Sequence, residues 1–409
     1  MEKTQFYHEA RRGDGPLAGV RVLEATTTWA GPMCGCLLAD LGAEVVKVEA
    51  PAGEIARRSP PFLPGSDPPV SFMHATVNRN KRSLALDLHH PEARDLFLSL
   101  ATRSDVVVEN FRPGTADRFG IGYPHVRDVR PDVIYVSISG FGQWGPDHDQ
   151  PGYDPLAQAR SGFLSLNGDP TGPPVKAPTF LGDDLGGLHA ALGVLAALHH
   201  RDRTGEGQHL DVSLLDAMLF QSTGYLTLGA LGVELPRLGN EFRIAAPANT
   251  YRCRDGHLMA GVLLDRHWRL LTVALGRPEL AEHPDYATAP ARISHRREVN
   301  ELLASFAESR SVEEAVGELT AAGVPAAPVL SYQEAARDPH VAEREMLQST
   351  ALPGGGEAPL VGPPVKFSRT PTRVRSGPAE LGAHTDELLD ELGLDADAIR
   401  RLREGGVVA

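Results

Sequence analysis

Two adjacent carboxylates, Asp183 and Asp184, stand between a glycine turn and an apolar helical stretch in TFLGDDLGGLHAALGVLAALHH. A single aspartate here would be a common N-cap, because its side chain accepts hydrogen bonds from free backbone N–H groups. Two in succession exceed that need, and a carboxylate at a helix N-terminus is also expected to stay ionised as a nucleophile. Gly182, Gly186 and Gly187 would leave room for a substrate. The residues alone leave both roles open for either aspartate.

Two further stretches collect side chains that suit a phosphate-bearing ligand. VNRNKRSLALDL gathers basic residues before a strand, although a solvated run of charge has the same appearance. VVVENFRPGTADRFG ends a strand and continues with Asn110, Phe111, Arg112 and Arg118. Ligands of open α/β sheets bind beyond the carboxyl ends of the strands. An aromatic ring and two arginines at such a place could hold an adenine and a pyrophosphate.

Several function classes are disfavoured by what the sequence lacks. No GxGxxG follows the first predicted strand, and neither HExxH nor GxSxG occurs, so nicotinamide, zinc-protease and serine-hydrolase chemistry are not predicted. Three cysteines without CxxC spacing predict neither a disulfide framework nor a metal site. The net charge of -13 argues against nucleic acid and anionic membranes as partners. The charged N-terminus and the expected lack of an apolar run of about 18 residues predict a cytoplasmic protein without a membrane segment.

The elements that must position these residues alternate along the chain. The β-rich runs GVRVLEATT, AEVVKVEAP, RSLALDL, DVVVEN and DVIYVSISG are separated by helical stretches, which predicts an α/β domain with a doubly wound parallel sheet. A chain of 409 residues is also expected to form two compact units. From residue 226 the pattern changes to antiparallel strands and helices, so we assign 226–330 to a smaller α+β domain. The tail, 331–409, is expected to pack back on 1–225.

Many short motifs together resemble one family. They are PLAGVRVLE, AGPMCGCLLADLGAEVVKVEAP, NRNKRSLALDL, VVVENFRPGTADRFGIGY, SGFGQWGP, GYDPLAQARSGFLSLNG, TGEGQHLDVSLLDA and ELGAHTDELLDELGL. In this order the motifs are similar to those of the family III CoA-transferases, the CaiB/BaiF superfamily, which includes formyl-CoA and carnitine CoA-transferases and the α-methylacyl-CoA racemase branch. The resemblance implies an interlocked homodimer, with a Rossmann-like large domain built from both chain ends and a small domain between them.

The resemblance also implies roles for individual residues. The family's nucleophilic aspartate stands four residues before a glycine, a spacing that Asp183 and Gly187 match, and Asp184 is then a capping or neighbouring residue. Ala50 and His89 stand where basic residues occur in the family, so the phosphates are expected to contact Lys81, Arg82, Arg112 or Arg118. The family's CoA-contact positions fall on Trp29, Ala30, Leu86, Asp87, His89, Asn110, Phe111, Arg112, Arg118, Tyr153 and Asp154.

The activity implied is transfer of CoA from an acyl-CoA donor to a carboxylic acid through a covalent aspartyl intermediate. Acyl-CoA and the acid are then substrates, and no tightly bound cofactor or metal is expected. The alternative racemase places a histidine base where this chain has Tyr153, whose phenol, with a usual pKa of about 10, is a poor base at neutral pH. A catalytically inactive CoA-binding protein is the third possibility. The stretch RIAAPANTYRCRDG lacks the glycine-rich lid of the formyl-CoA transferases, which argues against a strict formyl/oxalyl enzyme.

Overall fold

The computed structural model describes residues 2–11, 13 and 15–409. Its strands are β1 (Arg21–Ala25), β2 (Glu44–Glu49), β3 (Phe62–Leu63), β4 (Val70–Ser71), β5 (Lys81–Ala85), β6 (Val106–Glu109), β7 (Ile134–Ser139), β8 (Gln208–Ser213), β9 (Ala248–Arg252), β10 (His257–Gly261), β11 (Ala326–Pro328), β12 (Leu347–Ala351) and β13 (Glu357–Val361). Its helices are α1 (Lys3–Phe6), α2 (Ala30–Asp40), α3 (Phe72–Asn78), α4 (Pro91–Ala101), α5 (Thr115–Arg118), α6 (Tyr123–Val129), α7 (Asp154–Arg160), α8 (Phe163–Leu166), α9 (Leu181–Thr204), α10 (Leu214–Phe220), α11 (Tyr225–Ala230), α12 (Asp265–Ala274), α13 (Ala289–Ser294), α14 (Arg296–Glu308), α15 (Val312–Ala321), α16 (Tyr332–Ala335), α17 (Pro339–Glu343), α18 (Thr385–Glu391) and α19 (Ala396–Glu404), with short 3₁₀ turns at Ile55–Arg58 and Pro278–Glu282.

The main sheet is parallel, with strand order β5-β2-β1-β6-β7-β8. The chain runs outward from β1 to one edge and then restarts at β6 toward the other, which is the order of a Rossmann-like doubly wound sheet. This confirms the predicted α/β fold. In such sheets a crevice opens beyond the strand ends where the direction of winding reverses, here beyond β1 and β6.

Helices cover both faces of this sheet, and successive strand residues point to opposite faces. Val22 and Val106 pack on one face with residues of α2, α9 and α10. Leu23 and Val107 pack on the other with α4, α6, α18 and α19. Burial on both faces explains why most residues of these strands are apolar, although Glu24 of β1 and Lys47 of β2 are buried charged exceptions.

The chain divides into two compact units, and each draws on separate parts of the sequence. One comprises Met1–Phe163, Lys176–Ala230 and His340–Ala409, and the other Leu164–Val175 and Leu231–Pro339. The second unit contains the antiparallel sheet β9–β11 and a core around Trp268 on α12, with residues of α14 and α15.

The unit boundaries differ from the predicted ones at three places. Residues 164–175 and 331–339, which the sequence analysis places in the large domain, belong to the second unit, and 226–230 belong to the first. The Arg237 side chain ties the first of these segments down, since it donates hydrogen bonds to the carbonyl oxygens of Ser165, Asp169 and Gly172. These bonds join residues more than sixty positions apart, so no local sequence pattern predicts them.

Helix α9 runs for 24 residues and begins at the crevice. By length and composition it could cross a membrane, contrary to the expectation that no such apolar stretch occurs. However, it carries two aspartates in its first turn, and part of its surface is buried in the core beneath the sheet. Core helices of globular proteins meet the same criterion, so this one feature is weak evidence for a membrane segment.

Candidate active site

A cavity of about 390 Å³ opens at the crevice beyond β1, β6 and β7. Its walls come from the turns after these strands, the loop leading into α7, and the first turn of α9. The structure thus brings together eight of the predicted site residues, namely Trp29, Ala30, Asn110, Phe111, Arg112, Tyr153, Asp154 and Asp183.

The two adjacent aspartates lie in different surroundings. Asp183 lines the cavity, whereas Asp184 accepts a 2.6 Å hydrogen bond from the indole Nε1 of Trp29. Neither caps the helix, because the N-cap position is Phe180 and both aspartates lie within the first turn. Of the two roles considered for Asp184, capping is therefore wrong, and Asp184 is the neighbour of Asp183 in the first turn.

Asp154, which lies outside α9, accepts a hydrogen bond from the N-terminus of that helix. Its Oδ1 accepts a 2.6 Å hydrogen bond from the backbone N–H of Gly182, and its Oδ2 accepts one of 2.7 Å from Gln158. Only 3% of Asp154 is exposed, although it forms part of the cavity wall. A carboxylate here satisfies an otherwise free N–H group and also places negative charge near Asp183.

Burial raises the pKa of Asp183 to about 7, with further contributions from the charges of Asp154 and Asp184. Burial likewise raises the pKa of Asp184, against the lowering effect of the Trp29 indole. The expectation that the helix macrodipole keeps the nucleophile ionised is not met, since desolvation and like charges outweigh the dipole. Near neutral pH both protonation states of Asp183 are populated.

The glycines around the aspartates serve packing rather than substrate access, contrary to the sequence interpretation. A Cβ atom on Gly187 would lie 2.8 Å from the Cβ of Met33 and 2.9 Å from the carbonyl oxygen of Ala30. One on Gly186 would lie 2.5 Å from Leu214. These glycines allow α9 to pack closely against α2 and α10.

The turn after β1 forms one wall of the cavity. Asn110 fixes it from β6, because its side-chain oxygen accepts from Thr27 N–H at 2.8 Å and its amide donates to the Thr27 carbonyl at 2.9 Å. The next residue, Thr28, has a left-handed backbone with φ of 65°. Trp29 then packs against Phe180, with ring centroids 4.9 Å apart. The side-chain amide of Asn110, a predicted CoA-contact residue, is thus engaged with the backbone of Thr27.

Four predicted residues lie outside the cavity wall. Leu86 is fully buried and pairs with Val408, and Asp87 accepts a hydrogen bond from the backbone N–H of His89. The His89 ring contacts Phe119 edge-on at 5.0 Å, and Phe119 in turn lies 5.8 Å from Phe111. Arg118 donates to the Thr115 hydroxyl. An aromatic row therefore leads from the cavity toward His89.

The two basic residues at the start of β5 do not line the cavity. The Lys81 amine is buried and contacts Glu24 and the carbonyl oxygen of Pro32, each at 2.8 Å. Arg82 pairs with Glu44 at 2.8 Å and Glu391 at 2.7 Å. The expectation that Lys81 or Arg82 holds phosphate is therefore wrong, because acidic side chains from distant parts of the chain already engage them.

Several residues of the cavity wall were not predicted from the sequence. Thr28, His148, Gln150 and Phe180 line it together with the predicted residues. They lie in turns and loops without a motif, so neither spacing nor periodicity could indicate them. Glu54, which does not line the cavity but hydrogen-bonds to the Thr28 N–H of its wall, was also not predicted.

An open doubly wound sheet with a carboxylate-bearing cavity at the reversal of its winding is the arrangement of an α/β enzyme that binds its ligand beyond the strand ends. Comparison with known proteins makes the class specific. The model of CoA-transferase family III matches residues 17–385. The chain belongs to CoA-transferase family III, as the motifs predicted, and is an enzyme of that class.

Similar proteins cover almost the whole chain. The succinyl-CoA:mesaconate CoA-transferase of Haloarcula hispanica is 40% identical, over 93% of this chain and 97% of its own. The formyl-CoA:oxalate CoA-transferase of Streptomyces coelicolor is 36% identical, over 96% and 99%. A crystal structure of a CAIB/BAIF family protein from Brucella suis matches with a TM-score of 0.83 and 32% identity, over 93% of this chain and all of that one.

Proposed function

We propose that the protein transfers CoA from an acyl-CoA to a carboxylic acid with Asp183 as the covalent nucleophile. The observation that carries this proposal is the separation of the two adjacent carboxylates. Asp183 faces the cavity, and Asp184 is engaged by Trp29. A nucleophile has to be open to the substrate, and Asp183 meets that condition.

The transfer proceeds by exchange of acyl bonds. A carboxylate oxygen of Asp183 attacks the thioester carbonyl carbon and the carbon–sulfur bond breaks. CoA leaves as a thiolate, and the donor acyl group stays joined to Asp183 as a mixed anhydride. The thiolate attacks the Asp183 carbonyl carbon, which releases the donor acid and gives an aspartyl-CoA thioester. The acceptor carboxylate then attacks that carbon and displaces the thiolate, which finally attacks the acceptor acyl carbon. Acceptor acyl-CoA and the Asp183 carboxylate result, and each step replaces one activated acyl bond by another.

We propose that CoA is held by the predicted positions as the structure arranges them. Arg112 offers a cation in the cavity wall next to Phe111. The aromatic row from Phe111 to His89 continues beyond the residues that line the cavity, as an extended ligand with an adenine at its far end requires. Trp29, Ala30, Asp87, Asn110, Arg118, Tyr153 and Asp154 complete the proposed CoA site, and Leu86 is left out because it is fully buried.

The acid substrates are proposed to be dicarboxylic. The names of the Haloarcula and Streptomyces relatives state activity with mesaconate and oxalate, which both carry two carboxylates. Of the described residues that line the cavity, Arg112 and His148 are the basic ones. Either would pair with the carboxylate that does not react.

The proposed enzyme works as a homodimer in the cytoplasm. On α9, Leu188 and Leu192 lie one turn apart with 53% and 61% of their surface exposed, and Phe220 at the end of α10 is 76% exposed. An apolar face of this kind on a core helix requires a cover, and a second copy of the chain, interlocked as the resemblance implies, would supply it. The three cysteines are free and buried, which suits a reducing compartment.

Trapping of the aspartyl intermediate tests this function. The wild-type enzyme treated with succinyl-CoA and hydroxylamine should yield a hydroxamate at Asp183 in peptide mass spectra. Asp183→Ala should yield none while it still binds CoA. Exchange of the α-proton with deuterium in the absence of acid exchange would instead indicate a racemase. Binding of CoA with neither reaction would indicate a binding protein.

A further inference from the structure

We propose that Glu54 and Lys47, which lie behind the cavity wall, are positioning residues for the reaction. They fix the backbone of the turn Thr26–Trp29, and through it the indole that holds Asp184 beside Asp183. The inference rests on the proposed function, because it assigns these residues to the nucleophile of that reaction. Neither residue lines the cavity, so neither is offered as a substrate contact.

Side chains form hydrogen bonds with the backbone of the turn at three successive residues, Thr26, Thr27 and Thr28. The Lys47 amine donates a 2.8 Å hydrogen bond to the carbonyl oxygen of Thr26. The carboxylate Oε2 of Glu54 accepts one of 2.6 Å from the N–H of Thr28. Together with the two Asn110 bonds to Thr27 described above, these contacts specify the backbone path into Trp29.

Thr28 needs such support because of its conformation. Its φ of 65° is left-handed, and a β-branched residue rarely adopts that region. Strained conformations persist where the surroundings over-determine them, and they gather at functional sites. Loss of the Glu54 bond would let Thr28 relax to an ordinary backbone conformation. The direction in which the next residue, Trp29, leaves the turn would change with it.

The two supporting residues belong to a buried ionic network. The Lys47 amine lies 3.0 Å from Glu54 and 3.6 Å from Glu24, and these side chains are at most 2% exposed. Burial opposes ionisation of Glu54, but Lys47 and His74 outweigh it and lower the pKa of Glu54 to about 2. Buried ion pairs contribute little net stability, so an orienting role is the better explanation for retaining them.

A metal centre does not explain this cluster. Glu49, Glu54 and His74 are close enough together to share an ion. However, Lys47 lies 3.0 Å from Glu54, and Arg57 lies 2.6 Å from Glu49. Cations of the protein thus already occupy the places at these carboxylates where a metal ion would bind.

The consequence for the nucleophile runs through one hydrogen bond. Trp29 Nε1 donates to Asp184, and Asp184 follows Asp183 in the first turn of α9. If the indole moves, the Asp184 carboxylate is free to turn toward the cavity. Its charge would then repel both the attacking Asp183 and the carboxylate of the acid substrate.

The test compares Glu54→Ala with Asp40→Asn, a control that weakens the buried pair between Asp40 and Arg79 outside the cavity wall. With succinyl-CoA as donor, Glu54→Ala should slow single-turnover formation of the hydroxylamine-sensitive intermediate at least tenfold while CoA affinity changes less than twofold. The indole N–H resonance of Trp29, assigned by its loss in Trp29→Phe, should shift, and those of Trp144 and Trp268 should not. Asp40→Asn should leave both the rate and the Trp29 resonance near wild type.

A second variant separates positioning from a general loss of structure. Glycine adopts left-handed backbone without strain, so Glu54→Ala combined with Thr28→Gly should regain part of the lost rate. A wild-type rate and an unmoved Trp29 resonance in Glu54→Ala would overturn the inference, as would a double variant no faster than Glu54→Ala. If wild type forms no hydroxamate at all, the proposed function fails instead.

Discussion

The indole nitrogen of Trp29 donates a 2.6 Å hydrogen bond to Oδ1 of Asp184, across 155 positions of sequence. This bond engages one of two adjacent carboxylates and leaves the other, Asp183, facing the cavity. Two residues with identical side chains and neighbouring positions thus have different surroundings.

The paired variants Asp183→Asn and Asp184→Asn should therefore differ strongly. We expect Asp183→Asn to lose at least a thousandfold in CoA transfer, since the amide is not a comparable nucleophile. Asp184→Asn keeps an oxygen that can accept from Trp29 and should stay within about tenfold of wild type. The rate of CoA transfer between an acyl-CoA and an acid that wild type accepts measures the loss in each variant. Equal losses would mean that the cavity-facing carboxylate has been misidentified.

The rate should depend on pH through the ionisation of Asp183. Its pKa of about 7 means that kcat/KM in the free enzyme should rise as the pH passes from 6 to 8 and then level off. Trp29→Phe should change the midpoint, because it removes the group that stabilises the charge on Asp184. A flat profile between pH 5 and 9 would contradict the role of Asp183 as a nucleophile that must ionise.

Stability should respond to the same carboxyl group in the opposite sense. The folded protein retains the Asp183 proton up to about pH 7, whereas the unfolded chain releases it near the usual pKa of about 4. The unfolded state binds fewer protons in this window, so the free energy of unfolding falls as the pH rises through it. Asp183→Asn should then be roughly 1 to 3 kcal/mol more stable than wild type at pH 8 and about equal at pH 4. Urea unfolding at the two pH values measures this, and equal stabilities at pH 8 would contradict it.

Glu109 offers an independent case at the end of β6. Burial raises the pKa of Glu109 to about 7, although Ser137 and the N–H of Phe111 favour its charged form. Glu109→Gln keeps an acceptor for Phe111 and should be roughly 1 to 3 kcal/mol more stable at pH 8, with no gain at pH 4. The exposed carboxylate of Glu301 provides the control, since Glu301→Gln should change little at either pH. Thermal or urea unfolding at the two pH values measures these stabilities. A gain in stability of Glu109→Gln that persists at pH 4 would rule out this explanation.

Two arginines should respond differently to removal. Arg112→Ala should weaken CoA binding by about 1.5 to 3 kcal/mol, the range for a hydrogen bond to a charged group. Arg82→Ala should leave CoA affinity unchanged, because Glu44 and Glu391 already pair with that guanidinium. Calorimetric titration with CoA measures both affinities, and the opposite ranking would assign the phosphate site to the basic residues at the start of β5.

The apolar face of α9 gives a prediction about assembly. Light scattering should report a mass near twice 43.9 kDa for wild type at every practical concentration. Leu192→Asp would place a charge on the proposed interface and should yield monomer or aggregated protein. Asp202→Ala, near the end of the same helix, should remain dimeric. A monodisperse 43.9 kDa wild type would exclude the interlocked dimer.

The sequence by itself determined the parallel α/β architecture and the location of the cavity. Strands buried on both faces are mostly apolar, so β1, β2, β6 and β7 are visible as short apolar-rich runs, in which the buried Glu24 and Lys47 are exceptions. Parallel strands bring their carboxyl ends to one edge of the sheet. Asn110 and Arg112 after β6, and Trp29 after β1, were therefore predictable as neighbours from local patterns.

Only the tertiary structure decided what each charged residue does. Lys81 meets Glu24 across 57 positions, and Asp154 meets Gly182 across 28. Such pairs have no local signature, so a buried lysine and a phosphate-binding lysine look the same in sequence. The same holds for the pKa of Asp183, which burial and the charges of Asp154 and Asp184 raise together. Desolvation depends on everything packed around a group, and that is fixed only when the whole chain has folded.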